Sequence, residues 1–170
     1  TELKEFTMSA TSQKAYDWFT SRLGLVEGTG PWFTMTQEVI DRFADATLDF
    51  AMIHVDPEAA KDGPFGTTIA HGFLTLSMLP HLTHDITETD DNTALMTGGV
   101  NYGFNKVRFV SPVRVNSRIQ ATVTLVGVEQ KGDTIEISRE IVVAIEDEER
   151  PALIAEWVTR HFYEPDNEEA

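Results

Sequence analysis

The chain has 170 residues, 41% of them hydrophobic, with 28 acidic residues against 13 basic ones and a formal net charge of −15. That length fits one domain with a sizeable core, and the acidic balance argues against nucleic acid and anionic membranes, which both call for a basic surface. There is no cysteine, so disulfides, thiolate metal sites and cysteine nucleophiles are excluded; no stretch approaches the ~20 apolar residues of a membrane span, and Thr1 to Ala10 lacks a basic-then-apolar signal pattern, so a cytoplasmic setting is expected.

In chain order, Ser12 to Leu23 predicts a helix, with Ala15, Trp18, Phe19 and Leu23 at helical spacing and Gly24 as a stop. Gly28, Gly30 and Pro31 mark a loop, and Trp32 to Met35 a short strand. Thr36 can cap a helix from Gln37 to about Ala46, with Val39, Ile40 and Phe43 on its buried side. Asp56-Pro57 starts a short helix that ends near Asp62-Gly63-Pro64. His71 to about Thr87 is apolar on more than one face, as a buried helix is, and Pro80 predicts a kink within it. The acidic Thr87–Asn92 stretch reads as a loop.

The remainder predicts strands. Residues 101–130 run against the overall charge: Lys106, Arg108, Arg114 and Arg118 face one acid, Glu129. Such a strip can receive an anionic ligand such as a phosphate, or can be a solvated strand face paired with neighbouring acids. Lys131-Gly132-Asp133 is a hairpin turn, after which Ile135, Ile137, Ile141, Val143 and Ile145 alternate with polar residues. Glu146 to Arg150 is a charged turn, Ala152 to Phe162 a last strand, and 164–170 a flexible tail. Helices therefore gather in the first half and antiparallel strands in the second. That is the α+β pattern, one sheet against a central helix. A single domain over 1–170, with 1–31 as an N-terminal helical extension, is expected.

The stretch richest in chemistry is Phe43 to Ser77. Asp49 and His54 form a natural acid–base pair, since histidine titrates near neutrality and a carboxylate can hold a water beside it. Gly72 opens the buried helix, where free N–H groups and the helix dipole favour negative charge, including the developing oxyanion of a thioester. A surface His54 paired with Asp56, and Gly72 as a mere turn, account for the same residues. His81-x-x-His84-Asp85 lacks a third ligand at convincing spacing, so no metal is expected. Ser77 lacks a nucleophile elbow, and no dinucleotide or phosphate-loop motif occurs.

Two blocks carry a family resemblance. Phe43-Ala-Asp-Ala-Thr-Leu-Asp-Phe-Ala-Met-Ile-His-Val-Asp-Pro57, followed by Gly63-Pro-Phe-Gly-Thr-Thr-Ile-Ala-His-Gly-Phe-Leu-Thr-Leu-Ser77, resembles the MaoC-like hydratase family. Together with Asn101-Tyr-Gly-Phe-Asn-Lys-Val-Arg-Phe-Val-Ser-Pro-Val113, it is most similar to the NodN-like branch of (R)-specific enoyl-CoA hydratases. The resemblance runs from about Trp32 to Phe162. It implies the hot-dog fold, an antiparallel sheet wrapped around one long helix (here about 71–87), as a homodimer. It implies hydration of trans-2-enoyl-CoA to (R)-3-hydroxyacyl-CoA, a lyase activity of fatty acid metabolism. Asp49 and His54 match the family's water-activating pair, and Gly72 its backbone oxyanion donor. Lys106 and Arg108 become candidates for the coenzyme A phosphates, and Phe50, Ala51 and Met52 for the substrate pocket. Coenzyme A enters as a thioester substrate; no cofactor, metal, nucleic acid or membrane partner is expected. One departure stands out. The family usually has Asn or Gln two positions after the aspartate, where this chain has Ala51, and Leu48 replaces a frequent Gly. The change implies a remodelled acyl pocket, an engineered variant or weakened hydration, with acyl-thioester binding or hydrolysis as the alternative function.

Overall fold

The computed structural model describes residues 9–87 and 96–164. In chain order its elements are α1 (Ala10–Ser21), β1 (Val26–Thr29), β2 (Phe33–Thr34), α2 (Gln37–Thr47), α3 (Met52–Val55), α4 (Pro57–Lys61), α5 (Gly72–Ser77), α6 (Leu79–Thr87), β3 (Met96–Phe109), β4 (Arg118–Lys131), β5 (Thr134–Ile145) and β6 (Leu153–Tyr163). Most of the expected acidic loop, and all but the first residue of the expected tail, lie outside the described residues.

Strict alternation in β4 and β5 makes one face of each strand apolar, and antiparallel pairing aligns those faces. The strands form one sheet in the order β1-β4-β5-β6-β3, with β2 also beside β4. Two rows cross it on one face: Ala121–Val143–Leu153–Phe109 and Val123–Ile141–Ala155–Val107. Leu74 of α5 and Leu79 and Leu82 of α6 join this face in the main core. The sheet thus closes over the central helical segment, as the α+β reading requires.

That segment is not one continuous helix over 71–87. It divides into α5 and α6 at Met78, whose N–H bonds back to the Leu74 carbonyl. Pro80 has no N–H to continue the ladder, and its ring crowds the carbonyl four residues earlier. The break falls two residues before the proline that causes it.

The expected glycine loop is shorter than its residues suggest: β1 takes in Gly28 and pairs with β4 through an irregularity between Val26 and Gly28, and of the expected loop residues only Gly30 and Pro31 lie outside any strand. The glycines serve packing there. A Cβ at Gly30 would sit 2.0 Å from the Leu82 carbonyl oxygen, so only glycine lets this edge lie against α6. The N-terminal part is therefore helix plus strand. α1 buries Ala15 and Phe19 against Leu125, Ile135, Ile137 and Tyr163 in a second cluster. Beside it, Arg139 forms a two-point ion pair with Glu27 of β1, at 2.6 and 3.2 Å, with both side chains buried.

Candidate active site

Helix α2 is capped as its sequence predicts, with Thr36 Oγ1 accepting from the Val39 N–H. It ends on Leu48 in the left-handed region, at φ 62°. Glycine takes that conformation without steric cost, whereas leucine does not. The reversal releases the chain into an exposed turn carrying Asp49, whose carboxylate accepts from the Ala51 N–H at 3.4 Å. Ala51 then caps the single turn α3 with no side-chain hydrogen bond.

His54 lies on that turn and is buried. Its Nδ1 is 2.7 Å from the Ile69 carbonyl oxygen. A carbonyl can only accept, so Nδ1 carries the hydrogen and the lone pair of the neutral ring sits on Nε2. That is the tautomer of a base. The Ile69 N–H in turn bonds to the Ile53 carbonyl at 2.9 Å, stapling α3 to the strand-like segment before α5. Gln37 completes the clamp: its amide donates to the His54 carbonyl at 2.7 Å and accepts from Thr68 Oγ1 at 2.6 Å. Asp56 is not His54's partner. Its carboxylate accepts from the Glu58 and Ala59 N–H groups at the start of α4.

Sequence reasoning left one residue of this cluster without a role. His71 is buried, stacks on the His54 ring with centroids 3.8 Å apart, and places Nε2 3.0 Å from the Asp49 main-chain carbonyl. The signal available was its place immediately before Gly72 within the first family-like block. Asp49, His54 and His71 offer side-chain N and O atoms that all lie within 4.8 Å of one another. A shared metal ion needs lone pairs that converge. His54 Nδ1 and His71 Nε2 each face a carbonyl oxygen, so each neutral ring has one lone pair left to offer. His84 meets Asp85 at 3.5 Å on the surface, and the His81 ring contacts Phe33.

Gly72 is the first residue of α5, so its N–H has no intrahelical acceptor. It lines a cavity of about 250 Å³ together with His54, Phe65, Ile69, Thr75 and Phe109. A Cβ at Gly72 would lie 3.0 Å from Phe109 Cδ1. The structure therefore brings His54 and Gly72 to one cavity, whereas Asp49 approaches the His54 and His71 rings from outside its lining. Phe50, Ala51 and Met52 are exposed and lie outside its lining. Lys106 and Arg108 are also exposed, and their register partners place them on the sheet face opposite Val107 and Phe109. Within the basic strip, Arg114 pairs with Glu148 at 3.4 Å and Arg118 with Glu146 at 2.6 Å. Lys106 and Arg108 have no ion-pair partner among the described residues. Arg108 donates to the Val107 carbonyl.

Residues 19–146 match the family model described as a MaoC like domain. The chain belongs to the MaoC-like dehydratase family. This MaoC-like chain is 50% identical over 135 residues to 3-hydroxyacyl-thioester dehydratase Z of Mycobacterium tuberculosis, covering 79% of this chain and 87% of that protein. It is 43% identical over 149 residues to Nodulation protein N of Rhizobium leguminosarum bv. viciae, covering 86% and 91%. The solved (R)-hydratase from A. caviae involved in PHA biosynthesis superimposes with a TM-score of 0.61 at 20% identity, over 81% of this chain and 94% of that one. That likeness shows the fold, an antiparallel hot-dog sheet around a helical segment. No helix among the described residues is long and apolar enough to cross a membrane.

Proposed function

We propose that this MaoC-like protein reversibly hydrates trans-2-enoyl-CoA to (R)-3-hydroxyacyl-CoA, with Asp49 and His54 activating the water. The supporting observation is the approach of the Asp49 carboxylate to the His54 ring, beside the cavity that His54 and Gly72 line. Their N and O atoms lie within 4.8 Å. A water making two hydrogen bonds of about 2.8 Å at a tetrahedral angle spans about 4.6 Å. One water therefore fits between them.

In this reading His54 Nε2 takes a proton from the water, which Asp49 holds. The water oxygen adds to the β-carbon, and the α,β double bond's electrons pass onto the thioester oxygen as an enolate. The Gly72 N–H stabilises that oxygen. The enolate then collapses and the α-carbon takes a proton back from the pair. Every atom of water ends in the product. We further propose a cytoplasmic homodimer. Among the described residues β3 pairs only with β6, and it exposes Val100, Tyr102 and Phe104 along an edge suited to a second copy. The phosphates of coenzyme A are proposed to reach Lys106 and Arg108 around that edge.

The test is the loss of the enoyl-thioester ultraviolet absorbance of crotonyl-CoA. Asp49→Asn and His54→Ala are each expected to lower kcat/KM about 10²–10⁴-fold. No absorbance decay by the wild-type protein, or unchanged rates in both variants, would defeat the reading. A second reading follows from the exposed Asp49 carboxylate and the apolar Ala51 beside it. It is an acyl-thioester-binding protein with slow hydration or with thioester hydrolysis. Release of free thiol, followed with a disulfide dye, identifies hydrolysis.

A further inference from the structure

His71 touches all three parts of the proposed machinery. It is 2% exposed and stacks on His54, and its ring also meets Phe43 of α2 with centroids 5.1 Å apart. Its Nε2 lies 3.0 Å from the Asp49 carbonyl oxygen, and that acceptor requires Nε2 to carry the hydrogen. Gly72 follows it directly, with His71 as the cap residue of α5.

We propose that His71 is a positioning residue for hydration, holding Asp49, His54 and Gly72 at a fixed spacing. The inference rests on the reading of Asp49 and His54 as the reacting pair. Two separate contacts do the holding. The Nε2–H bond ties down the Asp49 main chain, on an exposed turn that otherwise has little to anchor it. The ring face limits the tilt of His54, whose imidazole is held in its plane by one bond to Ile69 and could otherwise swing its Nε2 away from the water. The position also bears a cost that packing alone does not explain. His71 Nδ1 is buried with no hydrogen-bond partner among the described residues. An unmet buried acceptor is destabilising, and an apolar ring would fill the same space without it.

The experiment compares crotonyl-CoA hydration by wild type, His71→Ala, His71→Gln and His71→Phe, with thermal melts as the folding control. Gln keeps an N–H at the reach of Nε2 and loses the ring face; Phe keeps the face and loses the donor. His71→Ala is expected to lower kcat about 10²-fold with KM changed less than about threefold, the loss that a misplacement of about 1 Å produces. His71→Gln and His71→Phe are each expected to recover part of it. Long-range ¹H–¹⁵N spectra of the wild type should show His54 as the Nδ1–H tautomer and His71 as the Nε2–H tautomer. The proposal is overturned if folded His71→Ala keeps kcat within about threefold of wild type. It is equally overturned if the loss lies wholly in KM, or if His71 is the Nδ1–H tautomer. Should His71→Ala fail to fold, the Gln and Phe variants carry the comparison. A wild type that does not hydrate defeats the hydratase reading and the catalytic use of His71 together, whereas an active wild type with an indifferent His71 defeats only the positioning role.

Discussion

Gly72→Ala separates the chemistry of the site from its packing. The backbone at Gly72 is not in the left-handed region, so alanine meets no conformational strain there. The added Cβ would lie 3.0, 3.1 and 3.2 Å from three atoms of the Phe109 ring, a few tenths of an ångström too close. Phe109 is 48% exposed, so its ring has room to give. Alanine also gains about 0.5–1 kcal/mol over glycine in a helix. The two effects oppose each other, and net stability should change by less than about 1 kcal/mol, or about 2–4 °C in Tm. The effect on rate is of another size. The methyl group occupies the space through which a thioester oxygen approaches the Gly72 N–H, and losing one oxyanion donor costs about 10²–10³ in kcat. Initial rates on crotonyl-CoA beside a thermal melt read both quantities from one preparation. A folded variant with a rate within about threefold of wild type would show that the oxyanion does not sit at Gly72.

Other outcomes follow from particular contacts. Ala51→Asn should cap α3, which lacks a side-chain cap, and raise stability by about 1 kcal/mol; a gain in hydration alongside it would show that the apolar residue limits the site, and an unchanged Tm would refute the capping argument. Burial, then the charge of Arg139, push the His161 pKa down from 6.5 to about 4. The unfolded chain therefore takes up this proton first, and stability is lost as pH falls from about 6.5 towards 4, by about 2 kcal/mol at pH 5; chemical unfolding at pH 7 and pH 5 should show this slope in wild type and not in His161→Gln. Glu27→Gln strands the buried Arg139 charge and should cost about 3–5 kcal/mol; a double change of both residues to apolar side chains should restore much of the loss.

The elements legible in the sequence are those whose signals are local. Thr36 and Asp56 cap the helices that follow them, and the alternation of Ile135 to Ile145 sets the buried face of β5. Pro80 announced a disturbance, although the helix breaks at Met78. β1 was hidden because Gly28 and Gly30 look like loop residues, and only the approach of Ile86 to the first and of Leu82 to the second, each more than fifty positions away, shows why they are small. The basic strip was ambiguous for a similar reason. Arg114 and Arg118 find Glu148 and Glu146 across the fold, a pairing that charge counting along the chain does not reveal.

The candidate site was legible because its parts are close in sequence, whereas its geometry depends on contacts that are not. Asp49, His54, His71 and Gly72 fall within one stretch from the end of α2 to the first residue of α5. Their approach needs the Ile69 N–H to meet the Ile53 carbonyl, and it needs residues 68–70 held against the body of the protein. Ala70 donates to the Val113 carbonyl and Val115 to the Thr68 carbonyl, so the second family-like block ends where it supports the first. Phe109 and Val113 of that block also line the cavity. The two blocks are therefore one structural unit: the first brings the groups proposed to react, and the second supplies the wall and the backbone that hold them. On this argument a change in 109–115 should disturb the rate through His54 and Gly72, even though no residue of that segment carries a proton in the proposed reaction.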